Sequence, residues 1–232
     1  MNLAPETSRL ARVLEPEVMD SSDDAADYDA MDHGEVNRRF VADFLAARAA
    51  AGVRSQAEVL DLGTGTAQIP IELARQDSSV QVLAVDLAES MLAIGRTNVA
   101  RAGYQDRIAL ERVDAKGLPY SDGRFAAVMS NSIVHHIPDP RAALAEALRV
   151  LSRGGLIFIR DLARPLDERQ VQDLVQQYAG DCNPHQRQLF DDSLRAALCV
   201  SEVRELVKGL GGDPQRVQAT SDRHWTWSEV RR

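Results

Sequence analysis

The sequence predicts an α/β fold built on a doubly wound, mostly parallel sheet that closes with an antiparallel hairpin. Apolar runs of strand length alternate with segments of helical spacing between residues 58 and 160. These runs are almost continuously apolar, as expected of parallel strands that are buried on both faces. Near the C-terminus, Trp225 and Trp227 alternate with polar residues, which is typical of a hairpin strand. The connections between parallel strands should be right-handed.

The predicted elements follow one another in a regular order. Before the first strand, one apolar helix face runs from Val36 to Leu45, and Gly52 ends that helix. Five parallel strands are predicted at 58–62, 80–86, 108–113, 125–130 and 156–160. Helices are predicted at 67–76, 90–102, 141–151, 171–178, 189–198 and 203–210, and hairpin strands at 215–220 and 224–230. The Asp139-Pro140 pair should open the helix at 141, with Pro140 in its first turn.

Composition narrows the class of protein. The chain has 232 residues, 27 basic against 35 acidic side chains, and a net charge of −8. It has no basic stripe to neutralise phosphates and no apolar run near the roughly 18 residues of a membrane span, so we expect neither nucleic acid nor membrane as partner. The first twenty residues do not resemble a signal peptide, and only Cys182 and Cys199 occur, which favours a cytoplasmic protein with reduced thiols. Monomer and homodimer both remain open.

The acidic residues are concentrated at the N-terminus. Residues 1–34 hold nine acids and two bases, and the rest of the chain is nearly neutral. We therefore divide the chain into an acidic arm or lid, 1–35, and a domain, 36–232, with a helical insert at about 163–200. An acidic arm disfavours anionic ligands near it.

Polar or glycine residues end four of the predicted parallel strands. Gly63 and Gly65 follow the first strand, Asp86 ends the second, Asp114 follows the third and Asn131 the fourth. Glycine allows a ligand to approach the backbone, and a carboxylate at the second strand end can accept both hydroxyls of a ribose. Each residue also has a simpler interpretation as a turn, a helix cap or a solvated side chain. Their convergence on one edge of the sheet favours a ligand site.

Residues 57–161 resemble the class I S-adenosylmethionine-dependent methyltransferases, particularly the small-molecule, type 11/25-like group with a seven-stranded sheet. The resemblance rests on VLDLGTGTAQIPIELA (59–74), VLAVDLAESMLAIGR (82–96), VDAKGLPYSDGRFAAVMS (113–130), NSIVHHIPDP (131–140) and LRVLSRGGLIFIRDL (148–162). It implies a Rossmann-like sheet whose last two strands form the hairpin. One departure is Ala126, where this group usually has Asp.

The resemblance also implies roles for individual residues around S-adenosyl-L-methionine and its product S-adenosyl-L-homocysteine. The methionine part would be surrounded by Asp61, Gly63, Gly65 and Asn131. Asp86 would hold the ribose, Leu87 and Met91 would lie against the adenine, and Asp114 and Ala115 would reach the adenine amino edge.

Catalytic and acceptor-binding residues are less clearly indicated. His135 and His136 follow the fourth strand, where an acceptor should approach, and either could act as a general base or simply pack in the loop. Tyr28 in the arm could close over the site, and Arg160 could face an acceptor carboxylate. No acidic cluster of the kind used by metal-dependent relatives is evident, so no metal ligand is predicted.

We therefore expect a metal-independent methyltransferase that acts on a small molecule mainly through proximity and alignment. Two other interpretations remain open at this stage. The protein could use the cofactor without net methylation, or it could be a non-catalytic binding or regulatory relative. A protein-methylating enzyme would need an open groove, which a closed pocket under residues 1–35 would argue against.

Overall fold

The computed structural model describes residues 10–16, 20–31, 34–54 and 58–232. Its seven strands are β1 (Glu58–Leu62), β2 (Gln81–Asp86), β3 (Ile108–Arg112), β4 (Phe125–Asn131), β5 (Leu151–Leu162), β6 (Val217–Ala219) and β7 (His224–Val230). They form one sheet in the order β3-β2-β1-β4-β5-β7-β6. The first five strands are parallel, whereas β7 runs antiparallel to both β5 and β6. The predicted doubly wound sheet with a C-terminal hairpin is confirmed.

Eight α-helices accompany the sheet in the described part of the chain. They are α1 (Ser22–Ala30), α2 (Gly34–Ala50), α3 (Gln68–Gln76), α4 (Glu89–Ala102), α5 (Arg141–Val150), α6 (Glu168–Ala179), α7 (Pro184–Ala196) and α8 (Val200–Gly209). Short 3-10 helices lie at Val134–His136 and Pro214–Arg216. None of the helices within the described ranges is both long enough and apolar enough to cross a membrane.

The core lies on both faces of the sheet, because alternate strand residues point to opposite sides. On one face, Leu60 and Leu62 of β1 pack in a cluster that includes the buried Trp225 and Trp227. On the other face, Val59 packs with the aromatic side chains of α2. Asp61 is in phase with Val59, so a carboxylate occupies a position that an apolar residue would otherwise fill. This position makes Asp61 a candidate for function rather than packing.

Several predicted boundaries differ from the structure, and among the strands the start of β5 differs most. Strand β5 begins at Leu151 rather than at residue 156. Gly154, with φ 76°, lies within the strand, in the segment where the pairing of β5 with β4 shifts its register. The glycine pair thus forms an irregularity within the strand instead of a turn before it. Pro140 precedes α5 as its N-cap rather than forming its first turn, and Asp139 Oδ1 accepts the Arg141 N–H at 3.1 Å.

Candidate active site

A cavity lies at the carboxyl ends of β1, β2 and β4, the edge at which open α/β sheets bind ligands. It encloses about 840 Å³, including its open mouth. Ten of the thirteen residues that the sequence predicted for the site line it: Tyr28, Gly63, Gly65, Asp86, Leu87, Met91, Asp114, Ala115, Asn131 and His136. Asp61, His135 and Arg160 are not among its lining residues.

The glycine loop after β1 is folded tightly under the cavity. Gly63 and Gly65 have φ angles of 70° and 55°, a region that side chains other than glycine rarely adopt. The N–H groups of Gly63 and Thr64 both donate to Val85 O, at 2.8 and 3.0 Å. A Cβ atom on Gly63 would lie 1.8 Å from Ile133 Cγ2, so the loop needs glycine there for space as well as for conformation.

Asp86 connects the glycine loop to the start of α4. Its Oδ2 accepts the Gly65 N–H at 2.8 Å, and its Oδ1 accepts the Ala88 N–H at 2.9 Å. Burial raises the pKa of this carboxyl despite the backbone donors. Each carboxylate oxygen has a second lone pair for ligand hydroxyls, so holding the loop and holding a ribose are compatible.

The loop after β3 supplies a second acid. Asp114 Oδ1 accepts the Lys116 N–H at 2.9 Å and lies 3.3 Å from Lys116 Nζ. Its side chain is 43% exposed, so it remains open to a ligand amino group. Ala115 lines the cavity beside it.

Four buried oxygens in or beside the loop have no hydrogen-bond partner among the described residues: Asp61 Oδ2, Thr64 Oγ1, Thr66 Oγ1 and Asn131 Oδ1. A buried acceptor without a donor is costly, and a buried carboxylate is costlier. Burial raises the pKa of Asp61 to about 7; the neighbouring Thr64 hydroxyl opposes this shift and the charge of Asp86 adds to it. A ligand that brings positive charge and N–H or O–H donors would satisfy these atoms. The residues present therefore fit the cationic, hydroxyl-bearing cofactor that the sequence implied.

The arm covers one side of the cavity through α1. Asp29 Oδ1 accepts from Gln68 Nε2 at 3.0 Å and from Asn98 Nδ2 at 2.9 Å, which ties α1 to α3 and α4. Tyr28 is thereby held over the loop, with its ring 3.6 Å from the point where a Gly65 Cβ would lie. Gln68, which stands where a dinucleotide-binding loop has its third glycine, thus helps to anchor the arm.

The two histidines occupy different environments in the 3-10 helix after β4. His136 lines the cavity, whereas His135 is buried and only 3% exposed. Their rings stack with centroids 4.2 Å apart. Burial and the neighbouring His135 lower the pKa of His136 to about 3. The prediction that either histidine could meet the acceptor is therefore corrected for His135, which is not at the cavity wall.

His135 is held by Asp161, a residue that the sequence analysis did not single out. His135 Nδ1 lies 2.5 Å from Asp161 Oδ1, and Asp161 also accepts the N–H groups of Val134 and Leu162. Burial opposes the charge on both side chains, but their mutual attraction and hydrogen bond outweigh it. As a result, the pKa of His135 is raised and that of Asp161 is lowered.

Arg160 does not reach the cavity, so its predicted role as an acceptor ligand is corrected. Its Nε donates to Thr226 Oγ1 at 3.0 Å, and its Nη2 donates to Asp43 Oδ2 at 2.7 Å. The guanidinium also lies over the rings of Phe40 and Phe158. These partners occupy the α2 face of the sheet, and Arg160 joins β5, β7 and α2 there.

Comparisons with known proteins agree with this geometry. Residues 59–155 match the model of a family described as a methyltransferase domain. The ubiquinone/menaquinone biosynthesis C-methyltransferase UbiE of Geobacter sulfurreducens is 37% identical over 108 residues, which cover 46% of this chain and 42% of that protein. The chain spans about half the length of the curated relatives it matches.

Solved structures share the fold over more of the chain. A SAM-dependent methyltransferase from Aquifex aeolicus superimposes with a TM-score of 0.66 at 16% identity, over 90% of this chain and 97% of that one. The [4+2]-cyclase SpnF superimposes with a TM-score of 0.52 at 24% identity, over 67% of this chain and 50% of that one. Residues 59–155 are thus similar to methyltransferase domains in sequence, and most of the chain shares its fold with a SAM-dependent methyltransferase.

Proposed function

We propose that this protein transfers the methyl group of S-adenosylmethionine to a small-molecule acceptor. The observation that carries the proposal is the group of buried, unpartnered oxygens at the glycine loop, of which that of Asn131 belongs to a residue of the cavity wall and that of Asp61 to the buried end of β1. Such atoms fit a ligand with a positive charge and several donors, which describes the methionine part of the cofactor.

The cavity offers a separate group for each part of the cofactor. In this proposal Asp61, Asn131 and the glycine loop hold the methionine part, and Asp86 accepts from the ribose hydroxyls. Leu87 and Met91 contact the adenine faces, while Asp114 and Ala115 meet its amino edge.

The side chains then have little covalent chemistry to perform. The cofactor supplies a methyl group already activated on a sulfonium sulfur. The protein must hold the acceptor in line with that methyl group, and alignment of this kind can account for about 7–11 kcal/mol of barrier lowering. Apolar side chains at the acceptor end, Ile133 and Ile137, exclude water from the reacting atoms. His136 is the histidine positioned to touch an acceptor, and Asp161 fixes its neighbour His135.

For the acceptor we propose a small aromatic hydroxyl compound, with quinols as the first class to test. The support is the function named for the curated relatives, which are quinone-biosynthesis methyltransferases. The family match ends at residue 155, however, and the arm and helices α6 and α7 lie outside it. A panel of phenols and quinols, followed by mass spectrometry for a gain of one methyl group, tests this choice.

A second use of the same cavity is a reaction without net methylation. The likeness to a [4+2]-cyclase supports keeping this candidate, because the same fold serves that enzyme. Formation of S-adenosylhomocysteine that depends on the acceptor distinguishes the two. Methyl transfer produces it in equal amount with product, whereas a cyclisation produces none.

Replacing Asp86 with alanine should weaken S-adenosylmethionine binding at least tenfold. The change removes the ribose acceptor and also leaves the N–H groups of Gly65 and Ala88 without their partner. Calorimetric titration with S-adenosylmethionine and S-adenosylhomocysteine measures the effect. Asp173→Ala, a change on the exposed surface of α6, is the matched control. If folded wild-type protein binds neither compound, the methyltransferase proposal fails.

Replacing Asp29 with alanine should loosen the arm and speed cofactor release. The substitution removes the side-chain acceptor that Gln68 and Asn98 share, and leaves them the backbone oxygens of Asp29 and Thr66, so the support of Tyr28 over the cavity is weakened. We expect S-adenosylhomocysteine to dissociate several-fold faster in stopped-flow measurements. Asp23→Ala makes the same change at an exposed position of α1 and should leave the rate unaltered. Equal rates in both variants would show that the arm does not retain the cofactor.

A further inference from the structure

Beside the cavity, a carboxylate of the arm meets both histidines of the loop after β4. We propose that Glu15, His135 and His136 form a binding site for a divalent transition-metal ion, with Zn²⁺ as the representative ion. One oxygen of Glu15 and one nitrogen of each imidazole lie within 4.8 Å of one another. The site is independent of the proposed methyl transfer, because the ion would bind without cofactor or acceptor.

The distances from Glu15 to the two histidines are compatible with a shared metal ion. Glu15 Oε1 lies 3.2 Å from His136 Nδ1 and 3.5 Å from His135 Nε2. Two ligand atoms bound at about 2.1 Å to a tetrahedral Zn²⁺ ion are about 3.4 Å apart. An ion could therefore join Glu15 to either histidine, and it would bind both once the two imidazole nitrogens, which lie within 4.8 Å of each other, come within the roughly 4.2 Å that two such bonds can span.

The candidate ligand atoms are also buried and poorly satisfied. The Glu15 side chain is only 8% exposed, and the His135 side chain only 3%. Neither Glu15 Oε1 nor His136 Nδ1 has a hydrogen-bond partner within the described part of the chain, despite their 3.2 Å separation. Buried lone pairs that lie close together but do not bond to each other leave room for a shared cation.

Surrounding groups support the ligands in the manner of a metal site. His135 Nδ1 pairs with Asp161, which would leave Nε2 as the coordinating nitrogen of a carboxylate–histidine–metal arrangement. Ser193 Oγ donates to Glu15 Oε2 at 3.2 Å and orients that carboxylate.

The charged groups around the site favour a cation once His135 is neutral. Glu15 and Asp161 bring two carboxylates, and the ion would displace the proton that Asp161 favours on His135. The nearby Arg12 guanidinium brings one positive charge, and it donates to the backbone carbonyls of Pro138, His135, Ile137 and Ala196.

The chemical types of the three ligands determine which metal ions would bind. Two imidazoles and one carboxylate favour Zn²⁺ and similar ions over Mg²⁺, which prefers oxygen ligands. Three protein ligands leave a position for water or an acceptor oxygen, as in catalytic zinc sites. Since an ion at His136 Nδ1 uses a lone pair that a base would need, metal binding and proton acceptance at that nitrogen are alternatives. The ion would also join the arm to the loop that lines the cavity.

Zinc titration of the chelator-treated 232-residue chain tests the site. We expect one Zn²⁺ per chain with micromolar or tighter affinity by calorimetry, and no comparable binding of Mg²⁺. Glu15→Gln should weaken Zn²⁺ binding at least tenfold, because the ligand charge is lost with little change of shape. A Cys182→Ser, His185→Asn double variant is the control. It removes two possible metal ligands that are close in the sequence but do not belong to the proposed site, and it should bind Zn²⁺ as the wild type does.

Cobalt supplies a readout that does not depend on a variant's folding. Co²⁺ added to the wild-type protein should develop the visible absorption of a four- or five-coordinate ion, and Zn²⁺ should displace it. Zn²⁺ should also raise the unfolding temperature of the wild type more than that of Glu15→Gln. Absence of Zn²⁺ binding by the folded wild type, or equal binding by Glu15→Gln, would overturn the proposal and leave the cluster as an ion pair only.

Discussion

Gly63→Ala should destabilise the protein by about 2–5 kcal/mol and abolish cofactor binding. The φ angle of 70° costs an alanine about 1–2 kcal/mol. The new Cβ would lie 1.8 Å from Ile133 Cγ2 and 2.8 Å from Ile133 Cβ, so the loop or the backbone of the Ile133 segment must move. Overpacking of this kind adds about 1–3 kcal/mol. Denaturant unfolding measures the first effect, and calorimetry with S-adenosylhomocysteine measures the second.

Gly103→Ala separates backbone strain from the clash. Gly103 has a φ angle of 76° at the end of α4, and apart from its chain neighbours no atom of the described residues lies within 4 Å of its Cβ position. The Gly103→Ala variant should therefore be destabilised only by the backbone strain, about 1–2 kcal/mol, and should bind the cofactor normally. Adding Ile133→Ala to Gly63→Ala should restore part of the lost stability, because the clashing methyl group is removed. Equal losses in Gly63→Ala and Gly103→Ala would show that Ile133 moves aside freely.

Much of the fold could be predicted because parallel strands buried on both faces leave a continuous apolar pattern. The residues after these strands could be predicted to lie close together, because parallel strands that are adjacent in the sheet end at one edge. This logic brought Gly63, Asp86, Asp114 and Asn131 together. It failed at the start of β5, because local sequence does not distinguish a glycine pair in a turn from one at a register shift.

The catalytic side of the site was harder to predict. Adjacent strand residues point to opposite faces, so at the end of β5 either Arg160 or Asp161 could face the loop. Full burial on both sides removes the alternation that would have decided between them. Glu15 was missed because its neighbours His135 and His136 lie about 120 residues further along the chain, and only the path of the arm brings them together.

The affinity for S-adenosylmethionine should fall as the pH is lowered through 7. Asp61 has a pKa raised to about 7, first by burial and also by the charge of Asp86. A cationic ligand binds the ionised carboxylate, which is about 90% populated at pH 8 and about 10% at pH 6 if the pKa is about 7. Calorimetry should therefore show roughly tenfold weaker binding at pH 6 than at pH 8.

Asp61→Asn identifies the group responsible. The amide has nearly the same shape but does not titrate, so this variant should bind weakly at both pH values with little difference between them. Asp173→Asn, an exposed change on α6, should keep the wild-type pH profile. S-adenosylhomocysteine, which lacks the sulfonium charge, should show a smaller dependence if Asp61 faces the sulfur. Parallel profiles for the wild type and Asp61→Asn would assign the pH dependence to another group.

The free energy of unfolding of the cofactor-free protein should fall as the pH rises, whereas the affinity for the cofactor should increase. The folded chain holds the Asp61 proton up to a pKa of about 7, whereas the unfolded chain releases it near 3.8. Ionisation therefore costs folding energy, and the contribution of Asp61 to stability declines as the pH rises from about 4 to about 7. Without cofactor at pH 8, Asp61→Asn should be more stable than the wild type in denaturant unfolding. Adding S-adenosylmethionine should reverse that order, because the cationic ligand places a positive charge beside the Asp61 carboxylate, which has no positive partner in the free protein.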